Sequence, residues 1–258
     1  MDGYNAIFKN SINNFNNLND IDKLENLKFF RTGTASHIFS FIHNNDKPPN
    51  QDAINISKQI DDVLYDKYYK RCLEYPKIGY NFTPNNLFYD ECDSHHIMMS
   101  IILFKNIKDT INTIVEIGAG YGGWLYLNLN IVSFNKWVMI DLPHLGSLQE
   151  FYLNHYNVPK ERYEIVSAFN YNGLNKMNDL IIGAHSLSEF ALDVFIEYFN
   201  HFIKYSKYLF YAYCKCVHLE LNAKKLELIM QYFEIVIEIP SENNNVSNIL
   251  FKNKTVFI

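Results

Sequence analysis

Four of the ten glycines in this chain of 258 residues, Gly118, Gly120, Gly122 and Gly123, fall within six positions. They follow Val115-Glu116-Ile117, which closes a short β-branched run that reads as a strand. A strand running into a glycine-rich turn brings its backbone close to a ligand, because glycine tolerates positive φ and puts no side chain in the way. Gly118, Gly120 and Gly123 also satisfy G-x-G-x-x-G, so a nicotinamide dinucleotide has to be weighed. Glu116 argues against it. A pyrophosphate needs neutral or positive surroundings, whereas a carboxylate at the strand end suits a ligand that carries an ammonium group. The next strand ends Met139-Ile140-Asp141-Leu142. Asp141 can accept from both hydroxyls of a ribose, and hydrogen bonds to a charged group contribute about 1.5–3 kcal/mol each. The plain alternative is that Glu116 and Asp141 are ordinary strand-end acids.

The pattern E-x-G-x-G-x-G, formed by Glu116, Gly118, Gly120 and Gly122, resembles motif I of the class I S-adenosylmethionine-dependent methyltransferases. The resemblance implies that Glu116, Gly118, Gly120, Tyr121 and Gly122 hold the methionyl end of S-adenosylmethionine, and that Asp141 and Leu142 hold its ribose. It further implies that adenine is received at the exit of the third strand, Ser167-Ala168-Phe169-Asn170. There Ala168 would line the ring, Phe169 pack on it and Asn170 or a backbone group read its edge. The alternative for Phe169 is a buried loop aromatic.

Three further stretches narrow the family. Met139-Ile140-Asp141-Leu142-Pro143-His144-Leu145, Leu148-Gln149-Glu150-Phe151-Tyr152-Leu153 and Asp179 to Phe190, with Ser186-Leu187-Ser188-Glu189 inside it, look like the sugar O-methyltransferases of polysaccharide and glycan gene clusters. The likeness covers about residues 95 to 200. It implies a sugar or nucleotide-sugar acceptor. The chain departs from that family where an Asn-x-Arg-Ser type sequence gives way to Gly183-Ala184-His185-Ser186. The same segment is unlike the Asn/Asp-Pro-Pro-Tyr/Phe loop of DNA amino-methylating enzymes.

A sugar hydroxyl is a poor nucleophile at neutral pH, and a base beside it contributes typically about 10²–10⁴-fold. His185 is the first candidate because it lies just past the fourth strand, at the ligand-binding end, and an imidazole's ordinary pKa of about 6.5 suits the task. Glu189, one helical turn on, could orient it. The alternative is that His185 caps the following helix or binds backbone. His95 and His96 open the helix before the first strand; neighbours cannot share a helix face, so one of them, His96 by preference, is the rival base. Cys214, Cys216 and His218 would share a face of an extended fifth strand, but no fourth ligand is evident and a metal-independent reaction is expected. The remaining readings are another small hydroxyl or phosphate-type acceptor, a non-catalytic partner subunit with the same fold, and, at the margin, a nicotinamide enzyme.

The elements that must position these residues begin at Ile111, where β-branched runs start to alternate with helical segments. Strands are expected at 113–117, 136–142, 163–167, 180–184, 208–213, 233–239 and 249–258, with helices at 122–133, 144–156, 188–204 and 219–231 between them. The alternation predicts an open α/β, Rossmann-like sheet, mostly parallel, and the helix-free link before the final strand makes that strand antiparallel. Residues 93–258 would form this domain, opened by a helix capped by Asp93-Ser94. Residues 1–92 would form a helical N-terminal extension, a lid or dimer contact, whose clearest helix spans 52–72 with Ile56, Ile60, Val63, Leu64 and Tyr68 on one face.

Composition bounds the function classes. Net charge is −5 and three of the 23 basic residues are arginine, which disfavours nucleic-acid partners. No apolar run approaches the ~20 residues of a membrane span, and no secretory signal is visible. Four cysteines make no disulfide framework, so a cytoplasmic setting is expected.

Overall fold

Short β-branched runs separated by amphipathic segments fold as strands and helices in turn from Thr113 onward. The computed structural model describes residues 2–31, 47–80, 88–171, 174, 177–215, 219–241 and 246–255. Its strands are β1 (Thr113–Ile117), β2 (Lys136–Asp141), β3 (Tyr163–Ser167), β4 (Leu180–Ala184), β5 (Tyr208–Cys214), β6 (Phe233–Ser241) and β7 (Val246–Asn253). They form one sheet of order β3-β2-β1-β4-β5-β7-β6. β1 pairs in parallel with β2 and β4, and β4 with β5, while β7 runs antiparallel between β5 and β6. This is the mostly parallel Rossmann-like sheet, with an antiparallel last strand, that the sequence predicts. The strand order reverses between β1 and β4, so the carboxyl ends of these two strands flank the switch point where open α/β sheets take their ligands.

The helices are α1 (Asp2–Asn16), α2 (Asp20–Lys28), α3 (Gln51–Cys72), α4 (Glu91–Asn106), α5 (Gly123–Asn128), α6 (Pro143–His155), α7 (Ser186–Glu189), α8 (Leu192–His201) and α9 (Leu219–Tyr232). The chain divides into two compact units, one of residues 1–98, 120–131 and 141–158, the other of 99–119, 132–140 and 159–258. In the first, α1 packs on α6 and α3 on α5. In the second, alternate sheet residues Val115, Ile117, Val138, Ile140, Ile181 and Leu209 share a core with Phe195 and Phe199 of α8 and Ile229 of α9.

Several helices depart from the sequence reading for identifiable reasons. Asp61 interrupts α3 with φ −161° and ψ 94°, and its Oδ1 accepts the Leu64 N–H at 2.9 Å, capping the second half afresh. The buried face therefore carries Ala53, Ser57, Tyr65, Tyr68 and Cys72, and Val63 is exposed. α4 starts two residues before the expected cap: Asp90 and Asp93 each accept the other's N–H, a reciprocal capping box. α5 stops early, ahead of Asn130 at φ +67°. The helix expected over 188–204 is broken at Phe190 and Ala191, both extended.

Candidate functional site

The switch point is built within the second unit. Glu116 is buried at the end of β1, and Trp137 Nε1 donates to its Oε2 at 2.8 Å. The β1–β2 register pairs Ile114 with Trp137 and Glu116 with Met139, which places both side chains on the same sheet face. Gly118 follows at φ +75°, its N–H donating to Ile140 O at 2.8 Å. A Cβ on Gly118 would lie 2.4 Å from Ser186 Cβ, so the exit of β4 packs directly on the turn. Ser186 Oγ donates to Ile117 O across the same gap.

His185, the residue before, is exposed and adopts φ +66° with ψ −37°, a sparsely populated conformation for a residue with a side chain. Its N–H donates to Ala212 O on β5 at 2.9 Å, and its carbonyl accepts the Ser188 N–H at 3.1 Å and the Ser188 hydroxyl. The backbone-binding alternative thus describes its main chain, while the imidazole does not cap α7. Glu189 is exposed at the end of α7. Lys225 of α9 closes this segment from below: its Nζ donates to the carbonyls of Leu187, Ser188 and Phe190 at 2.9, 2.8 and 2.6 Å.

The first unit takes in the chain from Gly120 to Ile131 and from Asp141 to Val158. Gly120, at φ +58°, donates its N–H to Asp141 Oδ2 at 2.8 Å, and Gln149 Nε2 donates to its carbonyl at 3.0 Å. Asp141 Oδ1 accepts the Leu142 N–H at 2.8 Å. Burial pushes the Asp141 carboxyl up to about 7, against the pull of its two N–H donors. A Cβ on Gly120 would meet no atom within 4 Å, in contrast to Gly118. The Tyr121 side chain points into the protein, under the Arg31 guanidinium and against Tyr152 and Phe30, so only its backbone is available to a ligand. Gly122 takes φ +84° at the start of α5. His96 stacks on Trp124 with ring centroids 5.6 Å apart, beside the Cys92 sulfur, which gives it a packing role.

At the exit of β3, Phe169 is 68% exposed and Asn170 is exposed, so the buried-aromatic alternative does not hold. Ala168 O accepts the Tyr198 hydroxyl at 3.3 Å. Cys216 and His218 lie outside the described residues. Among the described residues no group of three or more His, Cys, Asp or Glu side chains could hold a metal ion, and no helix is long and apolar enough to cross a membrane. Sequence reasoning missed Trp137, Ser186, Gln149 and Lys225. Lys225 gave no signal in the sequence, because it lies off the expected apolar stripe of Leu219, Ala223, Leu226 and Ile229.

No protein-family model matches the chain, and no curated protein matches it. Solved structures do. A structure from Thermoplasma acidophilum, described as protein 1320, superposes with TM-score 0.50 over 74% of this chain and 98% of its own, at 7% identity. N-methyltransferase NodS from Bradyrhizobium japonicum, in complex with S-adenosyl-L-homocysteine, gives TM-score 0.49 over 74% and 98% at 12% identity. The ribosomal protein L11 methylase of Lactobacillus delbrueckii subsp. bulgaricus gives 0.46 over 62% and 79% at 14% identity. At these identities the first likeness shows the fold alone.

Proposed function

We propose that the chain transfers a methyl group from S-adenosylmethionine to a sugar hydroxyl. The observation that carries the reading is Gly120, whose N–H is held by Asp141 while the position of its absent side chain is open. A glycine open in this way, beside an acid at the end of the next strand, suits the close approach of a ribose-bearing ligand. The residues present fit the cofactor. Glu116 offers a carboxylate to an ammonium group, with Trp137 fixing its orientation. Each Asp141 oxygen accepts one backbone N–H and keeps capacity for a second donor. The exposed Phe169 ring offers a face for adenine, and Asn170 beside it a polar edge.

When bound, S-adenosylmethionine supplies an electrophilic methyl group on a sulfonium, open to in-line displacement. The chain's share is alignment, for which effective molarities of about 10⁵–10⁸ M set the scale, and removal of a proton. His185 stands at the β1–β4 switch point on a backbone tied to β5, and its imidazole takes the proton from the acceptor hydroxyl. His96 is the lesser candidate because its ring is stacked on Trp124. A sugar acceptor is supported by the resemblance carried by Ile140 to Pro143 and Ser186 to Glu189.

The test is transfer of labelled methyl to a panel of nucleotide sugars, phenols and phosphate compounds. Transfer to a nucleotide sugar that falls at least tenfold in His185→Ala, with unchanged cofactor affinity, is expected. Transfer only to the other acceptors contradicts the sugar assignment, and unchanged turnover in His185→Ala removes that residue as base.

A further inference from the structure

Lys225 is fully buried on α9, outside the apolar stripe of Leu219, Ala223, Leu226 and Ile229. An ammonium has three N–H donors, and each meets a separate main-chain carbonyl, those of Leu187, Ser188 and Phe190. α7 is four residues long, so its carbonyls lack the partners that a continuing helix would supply. The acceptors are therefore the unpaired end of α7 and the extended residue that follows it. Phe195 of α8 closes the other side, its ring centroid 5.6 Å from Nζ. The charged neighbour that acts on the ammonium is Glu189 of α7.

The held segment begins at His185. Its N–H is fixed to Ala212 of β5, and its carbonyl is fixed to Ser188, one of the residues whose own carbonyl Lys225 holds. A main chain at φ +66° and ψ −37° persists only where its surroundings over-determine it. β5 supplies that constraint on one side and Lys225 on the other.

We propose that Lys225 is the positioning residue for His185, setting the imidazole through the carbonyls of the α7 segment without touching substrate. This rests on the reading of His185 as the base. Burial lowers the Lys225 ammonium to about 8, with Glu189 opposing the shift. Above that pH the neutral amine has two N–H donors for three carbonyls, so the clamp loosens in the alkaline range.

The experiment combines kinetics with the nitrogen-15 resonances of the His185 ring, assigned by their loss in His185→Ala. Lys225→Met is expected to bind S-adenosylhomocysteine within twofold of wild type while kcat falls at least tenfold and KM for the methyl donor holds. A folded Lys225→Met with kcat within twofold of wild type overturns the proposal. If that variant does not fold, wild type and Lys225→Arg decide it. In wild type the His185 resonances should shift between pH 7 and 9.5 with a midpoint near 8. In Lys225→Arg, which stays charged, the midpoint should rise by more than one pH unit or vanish. Wild-type resonances that stay flat across that range overturn it. The resonances need no turnover, so failure to bind S-adenosylhomocysteine would count against the methyltransferase reading and leave the clamp to be judged by the ring signals alone.

Discussion

Trp137 Nε1 lies 2.8 Å from Glu116 Oε2, an indole N–H donated across 21 residues of sequence to a buried carboxylate. The bond fixes one oxygen of the carboxylate. Trp137→Phe removes the donor and part of the buried indole volume. Stability should fall by at least about 1–3 kcal/mol, the cost of leaving a buried acceptor unmet, with the lost packing added to it. Affinity for S-adenosylhomocysteine should fall at least fivefold, while that for methylthioadenosine, which lacks the amino-acid end, should hold. Equal losses for both ligands would detach Glu116 from the ammonium. Calorimetric titration measures both.

The two neighbouring glycines separate packing from ligand approach. Gly118→Ala places a Cβ 2.4 Å from Ser186 Cβ at φ +75°. Left-handed strain of roughly 1–2 kcal/mol and overpacking of roughly 1–3 kcal/mol then add, so chemical denaturation should show a loss of at least about 2 kcal/mol. Gly120→Ala meets no neighbouring atom and suffers the strain alone. It should remain folded yet lose at least tenfold in affinity for S-adenosylhomocysteine. Unimpaired binding by Gly120→Ala would show that no ligand approaches there.

Asp141 gives the site a pH dependence of defined sign. Its carboxyl is raised by burial to about 7 in the folded chain, above the ordinary carboxylate range. The unfolded chain therefore loses this proton first, and the group's contribution to stability is greatest at low pH and falls as pH rises toward 7. Ribose hydroxyls donate to the ionised form, so ligand binding has the opposite slope. Affinity for S-adenosylhomocysteine should strengthen with rising pH and level off above about 7. Asp141→Asn should flatten that profile. A wild-type profile without slope between pH 5.5 and 7.5 would contradict the ribose contact.

What the sequence made legible was local. β1, β3 and β4 begin and end where their β-branched runs do, and Glu116, Gly118, Gly120 and Asp141 stand out because the chemistry of a strand end needs few residues. What stayed hidden depends on partners distant in sequence. The apolar stripe Leu219, Ala223, Leu226 and Ile229 suggested one face of α9, yet Leu219 and Ala223 are exposed, and the buried positions are Asn222, Lys225 and Ile229. Two polar side chains face inward because Tyr211 and three carbonyls await them. Ser186 likewise meets Ile117 across 69 residues, a contact that only the β1–β4 adjacency creates.

The central claim is the cofactor, and thermal unfolding with S-adenosylhomocysteine, set against the same scan with NAD, tests it most directly. Ligand at 100 times its Kd stabilises the folded chain by about 2.7 kcal/mol, which for a chain of this size is a rise in Tm of roughly 5–10 °C. The account predicts that rise with S-adenosylhomocysteine and none with NAD. A rise with NAD alone, or none with S-adenosylhomocysteine, would contradict it.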